Sequence, residues 1–418
     1  MRNTGAIAGA IFLFTLALGT MAQAPHREPL VGSELPATVS GLALGDATVG
    51  RARGVEALTS NPAGLGAMRF SELSGTGLYR SGQSTLHFRG AEFPQRQGLL
   101  RLGGIGIAHQ TEWGRGLGVG FSIRQRYDLN DRLLMEGIEL SGDFQEMQIR
   151  EEESHSGEVY VTTLGIGAEL FPGVRAGAAV ELLDGTVTQS KRFEATPPDH
   201  PLPTVVFDDD LTRAIAGSRL RLGLELGVTP FWNLGAALAL PADWEIREEW
   251  VFRTRLRDEN GEDNPPVDAG VLDYTFHVPA ELGAGTALQL GELRLYGAIR
   301  YTDWTQAEYR PVPARDISPR LFERSYSAVL DGGLGIEWTP NRAMILRVGW
   351  EQRGNPFRWI DDTVLQTSWS LGYSQRVGRA LWLDIAYRYT STPELLVEAD
   401  LIERHRAHRL AFGARVVF

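Results

Sequence analysis

The stretch Arg409-Leu410-Ala411-Phe412-Gly413-Ala414-Arg415-Val416-Val417-Phe418 decides the fold. Successive side chains of a strand point to opposite sides, so Leu410, Phe412, Ala414, Val416 and Phe418 share one face and Arg409, Ala411, Gly413, Arg415 and Val417 the other. One face is apolar, the other polar or small. The same division separates Leu220, Leu222, Leu224, Leu226 and Val228 from Arg219, Arg221, Gly223, Glu225 and Gly227. It separates Leu381, Leu383, Ile385, Tyr387 and Tyr389 from Asp384, Ala386 and Arg388. From Phe70 onward this period of two dominates, broken by glycine, proline and acidic clusters. A soluble β-sandwich alternates in the same way, so the period alone does not place the chain in a membrane.

The connections do. Tight links fall at Glu112–Arg115, Phe171–Gly173, Thr229–Phe231, Leu290–Glu292, Thr339–Arg342 and Val377–Ala380. Between them come long polar links at Ser81–Gly98, Asp128–Gly157, Thr188–Thr212, Asp258–Gly270, Arg310–Leu321, Gly354–Thr363 and Thr392–Ile402. Short turns on one side and long loops on the other mark bacterial outer-membrane barrels, with the turns facing the periplasm. With Gln83–Phe93 left as loop, the count is fourteen strands. The expected fold is therefore all-β, a 14-stranded antiparallel transmembrane β-barrel with an N-terminal luminal hatch. Its divisions are a signal peptide at 1–22, the hatch at 23–66 and the barrel at 67–418.

Composition agrees. Of 418 residues 43% are hydrophobic and 22% charged, a globular range with material for one large core or barrel. The absence of cysteine excludes disulfide frameworks, thiolate metal sites and thiol nucleophiles. A net charge of -11 argues against nucleic acid as a partner. Lysine occurs once, at Lys191, with no glycine-rich run before it, so a phosphate-binding loop is excluded. No other apolar run approaches the length of a membrane helix.

At the start, Arg2, the apolar stretch Ala6–Leu18 and Ala22-Gln23-Ala24 read as a secretory leader. As a helix the apolar stretch rises only about 20 Å, against about 30 Å for a bilayer core. Cleavage after Ala22 is preferred to cleavage after Ala24, because Pro25 would hinder the peptidase.

Tryptophans mark two girdles, Trp113, Trp232 and Trp338 beside the short turns and Trp304 and Trp350 toward the outer ends. Alternation puts Leu222, Leu383 and Phe412 toward lipid and Arg221, Asp384 and Arg415 inward. It also points arginines 124, 175, 294, 347, 388 and 409 and the acids Glu181, Glu225, Asp331, Glu337, Glu351 and Asp384 into the lumen. Buried charge needs partners, so ion-pair ladders around the hatch are expected.

Residues 23–67 do not alternate, and Gly41–Ala47 through Asn61-Pro62-Ala63-Gly64-Leu65 read as small-residue turns with one short helix. Too long for a tail and unable to form a core alone, this segment is expected to fold into the lumen as a plug. At Asn61, Pro62, Ala63 and Gly64 the chain resembles the FadL family of outer-membrane transporters for hydrophobic compounds, in which an NPA motif ends an N-terminal hatch. Asp303-Trp304 after Pro279, Leu346–Trp350 with Pro356, Leu371-Gly372-Tyr373 and Asp384–Tyr387 also look like that family. The resemblance implies a monomeric barrel that admits fatty acids or other hydrophobic molecules through a lateral opening at a kinked third strand. That strand is placed at Gly114–Tyr127, where Gly116, Gly118 and Gly120 ease a kink or let the plug approach. The family's third and fourth outer loops are usually helical, whereas Thr188–Thr212 and Asp258–Gly270 are short and proline-rich or acidic.

Capture of the hydrophobic substrate is therefore assigned to Leu133, Leu134 and Met135 of the large second loop and to Leu42, Leu44 and Leu65 of the hatch. Other partners are outer-membrane lipid and lipopolysaccharide and the assembly machinery that reads Phe418; the acidic clusters Glu151–Glu153, Asp208–Asp210 and Asp361–Asp362, placed in outer loops, read first as solvated loop charge and only second as sharing the divalent cations that bridge lipopolysaccharide. No cofactor or metal is implied: His405 and His408, three apart, point to opposite faces of a strand. No nucleophile elbow or paired Ser and His base marks an enzyme. Barrels of this shape also dock or shuttle proteins in a secretion system, and the pattern does not separate that alternative from passive uptake across a Gram-negative outer membrane.

Overall fold

The computed structural model describes residues 30–418 except 32–33, 36, 89–90, 112–115, 141–146, 197–202, 259–260, 314–319, 359–364 and 399–400. The leader at 1–22, Trp113 and Asp361-Asp362 lie outside the described residues. β1 (Glu72–Phe88) and β2 (Ala91–Gln110) are followed by β3 (Leu117–Asp128), the outer β4 (Asp131–Leu140) and the long β5 (Met147–Phe171), β6 (Val174–Thr196) and β7 (Thr204–Thr229). Next come β8 (Trp232–Ala239), β9 (Ala242–Asp258), a stub β10 (Gly261–Asp263), β11 (Asp268–Val278), β12 (Glu281–Leu290), β13 (Leu293–Asp303) and a stub β14 (Glu308–Arg310). β15 (Ala328–Asn341), β16 (Met344–Arg353), β17 (Gln366–Val377), β18 (Leu381–Glu398) and β19 (Leu401–Val417) complete the sheet.

All pairings are antiparallel, and β1 meets β19 from Glu72↔Val417 to Phe88↔Leu401, closing the sheet on itself. β8 runs on into β9, β11 into β12 and β13 into β14, while β4 and β10 pair only with β5 and β9 as outer hairpins. Fourteen staves result, as the alternation of connections requires. Pairing of the first and last strands leaves the sheet without a terminal edge.

The two faces sort as expected. Leu222, Leu383 and Phe412 are exposed on the outside, in a belt that includes Leu100, Leu164, Leu282, Leu334 and Leu371. No soluble surface carries so continuous an apolar belt, and the barrel spans a membrane. Arg221, Asp384, Arg388 and Glu181 are buried on the inner face. Short turns close β5–β6, β12–β13 and β17–β18, where Gly173, Gly291 and Gly378 take positive φ angles that favour glycine.

The long links differ from expectation. Gln83–Phe93 is not a loop: β1 and β2 continue through it as one hairpin, paired as far as Phe88↔Ala91. It lengthens two strands and adds none, so the even count survives. Thr188–Thr212 and Thr392–Ile402 are likewise mostly strand, and Glu151–Glu153 and Asp208–Asp210 sit on strands rather than in loops. Backbone ladders continue beyond the bilayer wherever neighbouring strands supply partners, although amphipathic alternation fades there.

One wall is interrupted. Between the pairs Val278↔Ala242 and Glu281↔Ala239 stand Pro241 and Pro279, neither of which has an N–H to donate. Arg219 supplies donors instead, from Nε to the Leu240 carbonyl at 2.9 Å and from its guanidinium to the Pro279 carbonyl at 2.8 Å.

Candidate functional site

The segment before β1 packs against the inner wall. Thr38 caps the helix α1 (Val39–Ala43) by accepting from Gly41 N at 2.9 Å, and Asn61 caps the 3-10 turn Pro62–Ala67, with proline at its first position. The Asn61 side chain donates to the carbonyls of Val49 at 2.9 Å and of Leu224 on β7 at 3.0 Å, and accepts from Ala63 N. Leu42 and Leu65 are fully buried against the wall, Leu42 among Ala386 and Ala411, and Leu65 beside Leu58. Gly118 faces the Leu65 carbonyl and Gly120 the Leu58 side chain, so these glycines give the segment room. Gly116 precedes β3 with a positive φ of 67, and the register irregularity of β3 lies higher, between Gln125 and Tyr127.

Charge fills the lower lumen. Glu225 binds both Arg53 and Arg175, Glu337 binds Arg294 and Arg347, Asp384 binds Arg415, and Arg388 joins Asp46 to Glu351, which also holds Arg353. Between these ladders and the inner segment lies a cavity of about 240 Å3, bordered by Leu44, Arg51, Glu56, Tyr296 and Arg347. Burial pushes the Glu56 carboxyl up to about 7, against opposing hydrogen bonds from Thr38 and Ser40 and the charge of Arg347.

Higher up, Arg126 on β3 bridges Glu34 and Glu181, each at 2.7 Å, and Arg221 in turn joins Glu181 to Glu281. Burial alone would raise the Glu34 carboxyl, but the charge and hydrogen bonds of Arg126 hold it well below the usual carboxylate range. Above this layer the inner face turns aromatic: Tyr127, Trp244, Phe276, Tyr309, Phe322 and Tyr326 form one buried cluster with ring centroids 4.7 to 6.2 Å apart. Outside it, Met135 packs on Ile149 with Leu133 and Phe193.

The wall opens between β2 and β3. Their ladder runs only from Gln110↔Gly118 to Gly104↔Arg124, while β2 continues to Ala91 and β3 to Asp128. The freed edge of β3 is met from inside by the N-terminal segment: Glu34 bridges to Tyr127, and Leu35 N donates to the Arg126 carbonyl at 2.8 Å. Arg101 of β2 reaches Glu158 of β5 at 2.8 Å across the same gap.

Sequence reasoning missed the aromatic cluster, the proline break and the edge taken by Glu34. The break was signalled by Leu240-Pro241 and Val278-Pro279 inside alternating runs. Nothing local signalled Glu34, whose partner lies far along the chain. Among the described residues no group of His, Asp and Glu could hold a metal, and no helix is long and apolar enough to cross a membrane.

A closed, even-stranded barrel with an apolar outer belt and a charged, filled lumen defines an outer-membrane β-barrel. No protein-family model matches the chain, and no curated protein does. Among solved structures, a FadL homologue of Pseudomonas aeruginosa superposes with a TM-score of 0.66 at 12% identity, over 92% of this chain and 99% of that one. The toluene transporter TodX of Pseudomonas putida superposes at 0.58 with 15% identity, covering 91% of this chain and 97% of its own. For the toluene transporter TbuX of Ralstonia pickettii the score is 0.58 at 14% identity, covering 94% and 99%. The chain resembles the FadL-like barrels and shares their fold.

Proposed function

We propose that this protein carries hydrophobic small molecules, long-chain fatty acids or hydrocarbons, passively across the outer membrane. One observation carries the reading: a buried aromatic cluster stands above a charge-filled lower lumen, beside a wall whose ladder is open between β2 and β3. A hydrophobic molecule gains about 0.8 kcal/mol per methylene buried against such a cluster and loses it again among ion pairs, so the open wall is its way out. The segment of residues 23–66 acts as the hatch, with Asn61, Pro62, Ala63 and Gly64 as its latch. Leu133, Leu134 and Met135 on β4 serve as the outer capture surface; Leu42, Leu44 and Leu65, read from the sequence as substrate contacts, are buried in the packing of the inner segment and hold the hatch to the wall instead. The barrel works as a monomer among lipopolysaccharide, and Phe418 is its assembly signal. The names of the solved neighbours, two of them toluene transporters, support this reading.

The test is uptake of a labelled hydrophobe by whole cells producing the protein or a variant lacking Asp131–Glu136. Uptake should fall without loss of the folded barrel. Unchanged uptake together with failed secretion of a partner protein would replace the carrier reading by the docking one.

A further inference from the structure

We propose that the cavity between the inner segment and the lower wall binds a small tetrahedral oxyanion, phosphate or sulfate, between Arg51 of the segment and Arg294 and Tyr296 of β13. The site lies off the path of any carried molecule and stands whether or not the barrel is a carrier. At about 240 Å3 the cavity is far larger than a single water needs and has room for such an ion with waters around it. Its wall residues Arg294, Glu337, Arg347, Asp384 and Arg415 all stand close to the short turns, which places it at the periplasmic end of the barrel.

Charge is spread unevenly around it. On the side of β18, β19 and β1, Asp384 and Glu72 share Arg415. On the other side one Glu337 serves both Arg294 and Arg347, and one Glu225 serves both Arg53 and Arg175. Arg51 has no such partner. Half-buried on the cavity wall, it makes no hydrogen bond or ion pair among the described residues; burial and the like charges of Arg294 and Arg53 pull its guanidinium down to about 10. Tyr296 is 8% exposed, and its hydroxyl oxygen accepts from Arg294 at 3.3 Å, so its own proton is left to donate. Glu56 borders the cavity and would repel an anion, but it accepts from the Thr38 and Ser40 hydroxyls at 3.2 Å each, and burial holds its carboxyl up to about 7. An unpaired guanidinium and a free phenolic donor beside a twice-shared carboxylate call for negative charge with several acceptor oxygens, which a tetrahedral oxyanion supplies through charge-assisted hydrogen bonds. With only Val39, Leu44 and Ile345 as larger apolar neighbours, the cavity offers little to a hydrocarbon tail.

The test is calorimetric titration of the whole protein, in a neutral polyoxyethylene detergent and mildly alkaline buffer at constant ionic strength, with sulfate, phosphate and chloride. Sulfate and phosphate should each bind about ten-fold or more tightly than chloride. Arg51→Gln should weaken sulfate about ten-fold or more. Tyr296→Phe, which keeps the ring and removes the donor, should weaken it several-fold and stands in if Arg51→Gln does not fold. Glu56→Gln should tighten it by removing the facing carboxylate. Arg257→Gln, an exposed cation at the outer end of β9, is the control and should change nothing. Chloride as tight as sulfate, or sulfate binding that survives both Arg51→Gln and Tyr296→Phe, would mean general attraction to a guanidinium-rich lumen and overturn the site. Absence of binding by all three ions would overturn it outright. Uptake of a labelled hydrophobe is untouched by either result, so the carrier reading stands or falls separately.

Discussion

The Asn61 amide nitrogen stands 3.0 Å from the carbonyl oxygen of Leu224, tying the segment before the barrel to the inner wall of β7. The same nitrogen holds the Val49 carbonyl at 2.9 Å, and Asn61 is wholly buried. Asn61→Ala removes a donor from the Val49 carbonyl and the second donor from the Leu224 carbonyl, at about 1–3 kcal/mol in all. The variant should insert and close as a barrel but show a lower thermal midpoint and larger single-channel current in planar bilayers. An unchanged current would remove Asn61 as a latch.

The outward belt gives a second expectation. Leu383 is 48% exposed on the lipid side, so Leu383→Arg should cost about 2–4 kcal/mol of folding free energy in lipid vesicles if it lies near midplane. Leu383→Val should cost under about 1 kcal/mol. Denaturant titration in vesicles distinguishes them, and a small penalty for arginine would contradict the membrane placement.

Arg219 offers a third. Its guanidinium donates to the Leu240 and Pro279 carbonyls at the point where Pro241 and Pro279 interrupt the ladder. Arg219→Leu should destabilise the barrel by about 1.5–3 kcal/mol in the same assay. A milder effect of this variant in a Pro241→Ala background is expected, since a restored N–H can rejoin the ladder.

Glu56 predicts a pH dependence. Burial raises its folded pKa to about 7, well above the usual carboxylate range. A raised carboxyl stabilises the fold fully below its unfolded pKa, and that contribution is lost as pH rises through the folded value. Between about pH 4.5 and 7 the inner segment should lose about 2 kcal/mol, an amount discounted for the partial exposure of the side chain. Glu56→Gln should flatten the fall in thermal midpoint between pH 5 and 8. Parallel curves for the two proteins would show that Glu56 is not the group responsible.

Much of the fold was legible because a membrane forces regularity. The lipid face tolerates only carbon, so Leu410 to Phe418 or Leu220 to Val228 announce their faces residue by residue, and turns such as Phe171–Gly173 recur where the strands leave the bilayer. The inward charges were legible for the same reason, and Arg175, Glu225, Glu337 and Asp384 stand where alternation put them. Outside the bilayer that constraint disappears. Gln83–Phe93 alternates enough to pass for a strand, but as a separate strand it makes the count odd; the chain uses it instead to lengthen β1 and β2, whose neighbours supply backbone partners. The edge of β3 escaped for a different reason: its pairing with Glu34 depends on where β2 departs, which no run of residues encodes by itself.

The packing of ion pairs from Arg53 and Glu225 through Arg388 and Glu351 has an osmotic consequence. An envelope that must take in sparingly soluble nutrients cannot do so by widening a water-filled hole, because salts and polar toxins would follow. On the reading proposed above, guanidinium and carboxylate groups bound to one another occupy the lower lumen that a hydrated solute would have to cross, while the gap between β2 and β3 offers a hydrophobic one a way to the lipid. Under the proposed function, solutes would be sorted by their solubility in the surrounding lipid rather than by their size, and the cell would gain a nutrient route without surrendering its barrier.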